Sequence, residues 1–371
     1  LESAEAYRRT KLTALERRQI SSRQDCELFV FRSESGEHLA GTLEALLPHA
    51  GEMCFAEMPD LAAELAHAAA GSRGSVRAAC VASTPEELET GLRRLLSHCQ
   101  ESAREVIDSK HGAFLSQRER EPRIGFLFPG QGSPVQTSGG LWSRRFASIR
   151  ELYERASLPG QHSHATEVAQ PCVVTASLAG LQALGLLGIQ ASVALGHSLG
   201  EITALGWAGA FDDEHLLRIV SQRGRIMAEM ANPAGSMASV RGGWREIKSK
   251  LNGDPLVIAA YNSPHQTVVA GELQALRQFT SRLATDGIAS AMLPVSRAFH
   301  SPLVADVAAA FSSYLAGEAI GRPRDRVLST VTGALLEDDI DLRQLLSSQI
   351  TLPVRFHDAL MLAANETDLL L

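Results

Sequence analysis

The stretch Ala191 to Ile202, Ala-Ser-Val-Ala-Leu-Gly-His-Ser-Leu-Gly-Glu-Ile, constrains this chain more than any other. Val193 to Leu195 reads as a short apolar strand, Gly196-His197-Ser198-Leu199-Gly200 matches G-x-S-x-G, and Glu201 opens a helix. Strand, sharp turn and helix in that order make a nucleophile elbow, with the serine presented on a strained turn. Glycines are needed there because such a turn leaves no room for side chains beside the serine. The turn also puts Ser198 at a helix N-terminus, where backbone N–H groups face any developing negative charge. For the pentapeptide alone, a plain strand-to-helix turn with an incidental serine is an equal alternative.

With 371 residues the chain has length for two or three domains. A hydrophobic share of 45% and a charged share of 21% are those of a globular protein. The net charge of -7 speaks against a nucleic-acid partner. No apolar run approaches the ~20 residues of a membrane span, and no signal-peptide pattern opens the sequence, so no membrane association is expected. The five cysteines (Cys26, Cys54, Cys80, Cys99, Cys172) form no C-x-x-C, so reduced, mostly buried thiols in a cytoplasm are expected. Twelve histidines include no H-E-x-x-H, and no metal site is expected.

Leu1 to Ile20 reads as a charged, weakly amphipathic helix, Glu27–Arg32 as a strand, His38–Leu47 and Leu61–Ala70 as helices, and Val76–Ala82 as a second strand. Thr84-Pro85-Glu86-Glu87 is a helix start, with an N-cap threonine, a proline at N1 and a glutamate at N3. Leu88, Leu92 and Leu95 follow at i, i+4 and i+7. Gly112–Leu115 supplies a third strand, so residues up to about 120 form a small α+β unit. His98, Cys99 and His111 are read there as solvated or core positions rather than ligands.

Arg123–Phe128 is a buried-type strand running into Pro129-Gly130-Gln131-Gly132-Ser133. Val135 in the third glycine position rules out a dinucleotide fingerprint. A glycine-rich turn at the carboxyl end of a parallel strand is nevertheless where ligands bind; the alternative is a plain loop. Pro171–Leu187 is an apolar helix leading to the elbow. After the elbow, Asp212-Asp213-Glu214 begins a helix in which Leu216, Val220, Arg223 and Met227 share one face, while Arg218, Gln222, Arg225 and Glu229 lie on another. A charge in an apolar stripe is costly unless paired, so Arg223 needs an anionic partner, in the protein or a ligand, unless it snorkels.

Ser236–Val240, Trp244–Leu251, Leu256–Tyr261, Thr267–Gly271, Leu273–Ala284 and Ser290–Pro294 read β-α-β-β-α-β, the order of the ferredoxin-like split βαβ. Asn262-Ser263-Pro264 falls in a turn, where Asn262 either forms the turn or faces a cleft. In Val295-Ser296-Arg297-Ala298-Phe299-His300-Ser301-Pro302, His300 stands outside regular structure, where a side chain can be presented or be inert. Val327–Thr330 is a strand and Leu342–Gln349 a helix, and Leu352-Pro353-Val354-Arg355-Phe356 leads into a last helix. The sequence stops at Asp368–Leu371 inside a strand, as a piece excised from something longer would.

Together these stretches resemble the acyltransferase domain of type I polyketide synthases and the related malonyl-CoA:acyl-carrier-protein transacylases. The matching stretches are Phe128–Ser133, Gly196–Glu201, Gln222-Arg-Gly-Arg-Ile-Met227, Tyr261–Pro264, Ala298–Pro302 and Gln349 through Phe356. The resemblance implies an α/β-hydrolase-like large subdomain over 121–234 and 299–371, with a ferredoxin-like small subdomain inserted over 235–298. Residues 1–120 resemble, more loosely, the linker domain between ketosynthase and acyltransferase. Ser198 is then the nucleophile and His300 the base. The N–H groups of Gln131 and Leu199 form the oxyanion hole, Arg223 grips the substrate carboxylate, and the Gln349 carbonyl orients the histidine. His197 and Asn262 line the pocket.

The implied reaction moves a malonyl unit from malonyl-CoA, through a Ser198 acyl-enzyme, to the phosphopantetheine thiol of an acyl carrier protein. No bound cofactor is expected, and the ketosynthase domain of the same synthase is a further partner. Leu199 and Ala298-Phe299 accompany malonyl selection in the family, and Phe299 would crowd an α-methyl group by about 1–3 kcal/mol. Arg297 departs from that pattern, which has histidine there, and associates the chain with iterative synthases, including the enediyne type. Two other readings use the same residues. A serine thioesterase or hydrolase on this elbow would need an acid for the histidine, for which Asp286 is available. A catalytically degenerate docking scaffold would not need the intact Ser198, His300, Arg223 and Gln131 set.

Overall fold

The computed structural model describes residues 25–101, 103–117, 120–158, 165–230, 234–295 and 297–371; the helix expected over Leu1–Ile20 lies outside them. The chain divides into two compact units, the second beginning at Pro122.

In the first unit the strands β1 (Glu27–Ser33), β2 (Val76–Ala82), β3 (Glu105–Asp108) and β4 (Ala113–Ser116) form an antiparallel sheet of order β1-β2-β4-β3. Helices Gly36–Ala50, Met58–Gly71 and Pro85–Gln100 supply the rest of its core, where Phe29, Cys80 and Leu115 meet Leu39, Leu43, Leu88, Leu92 and Leu95. The third of these helices starts as its sequence requires: Thr84 Oγ1 accepts the Glu87 N–H at 3.1 Å, and the Glu87 carboxylate accepts the Ser83 N–H at 2.7 Å. The sheet has four strands rather than the three expected. β3, Glu-Val-Ile-Asp, is a short edge strand with Ile107 71% exposed, so its pattern carries little hydrophobic signal. His111 belongs to the turn after it, with Nδ1 2.8 Å from the Asp108 carboxylate.

The second unit runs through β5 (Ile124–Phe128), β6 (Val193–Gly196), β7 (Gly235–Arg241), β8 (Leu256–Ser263), β9 (Gln266–Glu272), β10 (Ser290–Met292), β11 (Val327–Ser329), β12 (Ala334–Leu335) and β13 (Leu369–Leu370). Its larger sheet has the order β12-β11-β6-β5-β13 and is parallel except at the β12 edge. β6, buried at every residue, is central, so the chain leaves it at the carboxyl edge of the sheet beside the end of β5. Ligands bind at that edge in open α/β sheets.

The inserted β7–β10 sheet has the antiparallel order β10-β7-β9-β8, the ferredoxin-like arrangement, with helices Trp244–Lys250 and Leu273–Thr285 on one face. Met237, Ala260, Val268 and Ala270 of this sheet join the large subdomain's core. The outer edge of β8 is tied there too: the Tyr261 N–H donates to the Val354 carbonyl and the Val354 N–H to the Ala259 carbonyl, both at 2.8 Å. The fold is thus α/β, with a large subdomain and a ferredoxin-like small subdomain.

Several local expectations need correcting. The helix before the elbow spans Thr166–Leu186, with Pro171 inside it; the proline forfeits only the bond to the Glu167 carbonyl, near the helix start. That helix is long and apolar enough to cross a membrane, contrary to the expectation that no run reaches that length. Its most apolar window is 56% buried within the protein, and it packs on helix Asp213–Met230. Asn262 lies at the end of β8 rather than in the turn. Cys80 and Cys172 are buried, but Cys99 is half-buried and Cys26 and Cys54 are exposed, so the thiols are not mostly buried.

The elbow depends on backbone packed directly on backbone. A Cβ at Gly196 would lie 2.0 Å from the Gly200 carbonyl carbon, and one at Gly200 would lie 2.2 Å from the Phe128 oxygen. Neither atom can swing aside as a side chain would. Gly200→Ala should therefore cost at least about 3 kcal/mol, the upper end of the overpacking range. For a unit of this size that lowers the thermal midpoint by roughly 6–12 °C. A melting curve that matches wild type would show that the turn opens to admit a methyl group.

Candidate active site

Ser198 sits between β6 and helix Leu199–Trp207 at φ 51° and ψ -109°, a conformation rare for a residue with a Cβ. It is one of four non-glycine residues with positive φ among those described, and His300, at φ 58°, is another. The two meet: Ser198 Oγ lies 2.8 Å from His300 Nε2. His300 is held from behind by carbonyls, with Nδ1 2.9 Å from both the Gln349 and the Leu352 oxygens. Carbonyls accept only, so Nδ1 carries the proton and Nε2 is left as an acceptor toward the serine. The His300 N–H donates to the Ile350 carbonyl at 3.0 Å, and Ser301 Oγ, donating to the Ala298 carbonyl at 2.6 Å, pins the loop on its other side.

Gln131 follows β5, and its loop lies against the elbow closely enough that a Cβ at Gly130 would be 2.5 Å from the His197 oxygen. The Gln131 side chain is fixed at both ends: Nε2 donates to Thr166 Oγ1 and Oε1 accepts from Gln170 Nε2, each at 3.1 Å. Leu199 is the first residue of its helix, so its N–H has no intrahelical acceptor. His197 Nε2 lies 2.9 Å from Asn262 Oδ1, a contact between the large and small subdomains, and its ring packs 5.2 Å from that of Phe356. Phe299 is buried next to His300 in the main core.

Arg223 is 2% exposed on the stripe with Leu216, Val220 and Met227. The anionic partner expected for it is not supplied by any ion pair among the described residues. Among the described residues its Nη2 donates to Gln349 Oε1 at 3.3 Å, and its Nε is buried with no partner. Burial alone pulls its pKa down to about 10, which leaves it a cation at neutral pH. Burial, followed by the charges of Arg223 and His197, drives His300 down to about 3. A neutral imidazole beside a serine, and an unneutralised buried guanidinium nearby, together suit a nucleophile acting on a carboxylate-bearing acyl group.

The structure brings together Ser198, His300, Gln349, Arg223, His197 and Asn262 through these contacts, with Gln131 and Leu199 flanking the elbow. It adds groups that the sequence did not single out. Leu352 gives a second acceptor to His300. Gln170, fully buried, braces Gln131, and a polar side chain in an apolar helix beside Pro171 was the available sign. Asp286 lies elsewhere, ion-paired with Lys250 at 2.7 Å. Arg297 donates to the Ala228 carbonyl at 3.2 Å.

An α/β fold with an elbow serine and an inserted ferredoxin-like subdomain defines a class of acyl-group enzymes, and comparison with known proteins gives the family. Residues 148–369 match the acyl transferase domain family, and the chain belongs to it and is an acyltransferase. It is 36% identical over 256 residues to the mycoketide-CoA synthase of Mycobacterium tuberculosis, covering 64% of this chain but only 6% of that synthase. Among solved structures it is similar to the acyltransferase domain of an iterative polyketide synthase of enediyne biosynthesis, with 34% identity and TM-score 0.79 over 94% of this chain and 85% of that one. The malonyl CoA-acyl carrier protein transacylase of Clostridium perfringens superposes with 29% identity and TM-score 0.63, over 67% of this chain and 84% of that one.

The depressed pKa of His300 has a consequence for stability. An unfolded histidine takes up a proton near pH 6.5, whereas folded His300 resists until about 3. The unfolded state therefore binds more protons across that window, and stability falls as pH drops through it. Equilibrium unfolding of wild type and His300→Gln between pH 7 and about 4 should show a steeper decline for wild type. Parallel curves would place the His300 pKa near its ordinary value.

Proposed function

We propose that this domain transfers a malonyl unit from malonyl-CoA to the phosphopantetheine thiol of an acyl carrier protein in a polyketide synthase, by a ping-pong reaction at Ser198. The observation that carries this reading is the Ser198–His300 pair beside a buried arginine that forms no ion pair among the described residues. Ser198 Oγ attacks the thioester carbonyl as its proton passes to His300 Nε2. The tetrahedral oxyanion is met by the N–H groups of Gln131 and Leu199, each such donor being worth about 2.7–4 kcal/mol. Collapse expels the coenzyme A thiol with the proton from His300 and leaves the serine ester. The carrier thiol then gives its proton to His300 and attacks the ester, and Ser198 departs reprotonated.

Throughout, Arg223 binds the malonyl carboxylate with its planar fork, His197 and Asn262 line the pocket, and Phe299 limits space at the α-carbon. Residues 1–120 act as the linker to a ketosynthase domain, 121–234 with 299–371 as the large subdomain and 235–298 as the small one, in the cytoplasm. Similarity to the enediyne synthase domain and to the transacylase supports this assignment. The carbonyls behind His300 and the remote ion pair of Asp286 favour it over a hydrolase that needs an acid there.

Mass spectrometry after mixing with malonyl-CoA should show a lasting malonyl adduct on Ser198 that Ser198→Ala lacks; an equally labelled alanine variant would sink the assignment. Rapid hydrolysis without transfer would indicate a thioesterase. Arg223→Ala should slow malonyl loading by roughly 30- to 5,000-fold, the cost of about 2–5 kcal/mol for unpairing a desolvated charge. Acetyl loading, with no carboxylate to lose, should suffer less, and Arg223→Lys should rescue poorly. An equal fall for both acyl groups would make Arg223 structural.

A further inference from the structure

Gln349 is engaged through both its main chain and its side chain. Its carbonyl faces His300 Nδ1, while its side chain, in a residue 2% exposed, lies beside Arg223. An arginine has donors only, so the amide atom facing Arg223 Nη2 at 3.3 Å must be the oxygen, and this fixes the orientation of the amide. Nε2 is thereby turned to the Ser198 carbonyl, 3.0 Å away. Burial pushes the pKa of the neighbouring Glu201 carboxyl up, with hydrogen bonds from Ser329, Thr330 and this amide opposing the rise.

Glu201, the residue after the elbow motif, is completely buried and has no part in the reaction described above. Its carboxylate accepts from Ser329 Oγ, from the Thr330 N–H at 3.1 Å and from Thr330 Oγ1 at 2.7 Å, which ties it to the end of β11. The Gln349 amide thus bridges the Ser198 carbonyl and the buried Arg223 guanidinium, and hydrogen bonds at both of its ends hold it rigidly. Arg223 has little else to fix its fork, since its Nε has no partner.

We propose that Gln349 is a positioning residue whose side-chain amide, anchored on the Ser198 carbonyl, holds the Arg223 guanidinium in the orientation that receives the acyl group's carboxylate. This rests on Arg223 being the carboxylate receptor. Because the carbonyl that orients His300 belongs to the same residue, the receptor and the base share one rigid reference. A carboxylate bound at Arg223 is thereby registered against the nucleophile and the base together.

The test uses side-chain substitutions that leave the Gln349 carbonyl in place. Gln349→Leu removes every side-chain bond, and Gln349→Glu keeps the shape but sets an internal carboxylate against Arg223. Single-turnover loading from malonyl-CoA and from acetyl-CoA is measured for wild type, both variants and Arg223→Ala, with thermal midpoints alongside. In both Gln349 variants the ratio of malonyl to acetyl loading should fall by at least about tenfold, the cost of losing a hydrogen bond to a charged group. Gln349→Glu decides the matter if the leucine variant fails to fold. An equal fall for both acyl groups would make the amide mere packing and overturn the proposal. If Arg223→Ala collapses the ratio while the Gln349 variants keep it, positioning by Gln349 is wrong but the receptor stands. A ratio unchanged in Arg223→Ala removes the receptor reading itself.

Discussion

The site depends on a backbone contact. Gly196, Gly200 and Gly130 let the elbow, the end of β5 and the glycine-rich loop approach within distances that any side chain would prevent. Ser198 is held in a left-handed conformation by that packing, and such strain persists only where the surroundings over-determine it. Ser198 and the Gln131 loop beside it are thus placed by the meeting of three segments rather than by any one of them.

A second constraint is electrostatic. The site excludes water well enough to keep His300 neutral and to lower the pKa of Arg223. Both effects arise from the same burial, and Arg223 itself adds to the depression of His300. Cation and base are therefore coupled, and an acyl carboxylate that neutralised the arginine would also raise the basicity of the histidine.

Much of this was legible in the sequence because the relevant signals are local. The elbow, the capping box at Thr84 and the stripe carrying Arg223 each follow from spacing within one element. The β-α-β-β-α-β order is equally plain, since every strand of the insert pairs within it. The misses have a physical reason of the opposite kind. β3 is a polar edge strand stabilised by its neighbour, and Pro171 was tolerated within a helix that tertiary packing supports. Gln170 and Leu352 act through partners 39 and 52 residues away, a distance that no periodicity spans. The Arg223 stripe showed that a counter-group was needed, but not that the protein would offer an amide in place of a carboxylate.

The small subdomain joins the large one through a closed neck. Ser236 Oγ donates to the Val295 carbonyl, Arg297 reaches the Ala228 carbonyl, and Gly235 lies against Ala298 so tightly that a Cβ would come within 2.7 Å of the Ala298 nitrogen. The two chain ends of the insert are thus pinned side by side, and the large subdomain sees it as a tight loop whatever its length. One end continues from the helix that carries Arg223, and the other runs directly into Phe299 and His300. Exchanging this subdomain between members of the family as a cassette would place one splice junction just past the helix that carries Arg223 and the other directly before Phe299 and His300. The natural module for recombination is therefore the insert together with its neck, with cuts made beyond helix Asp213–Met230 on one side and beyond Ser301 on the other.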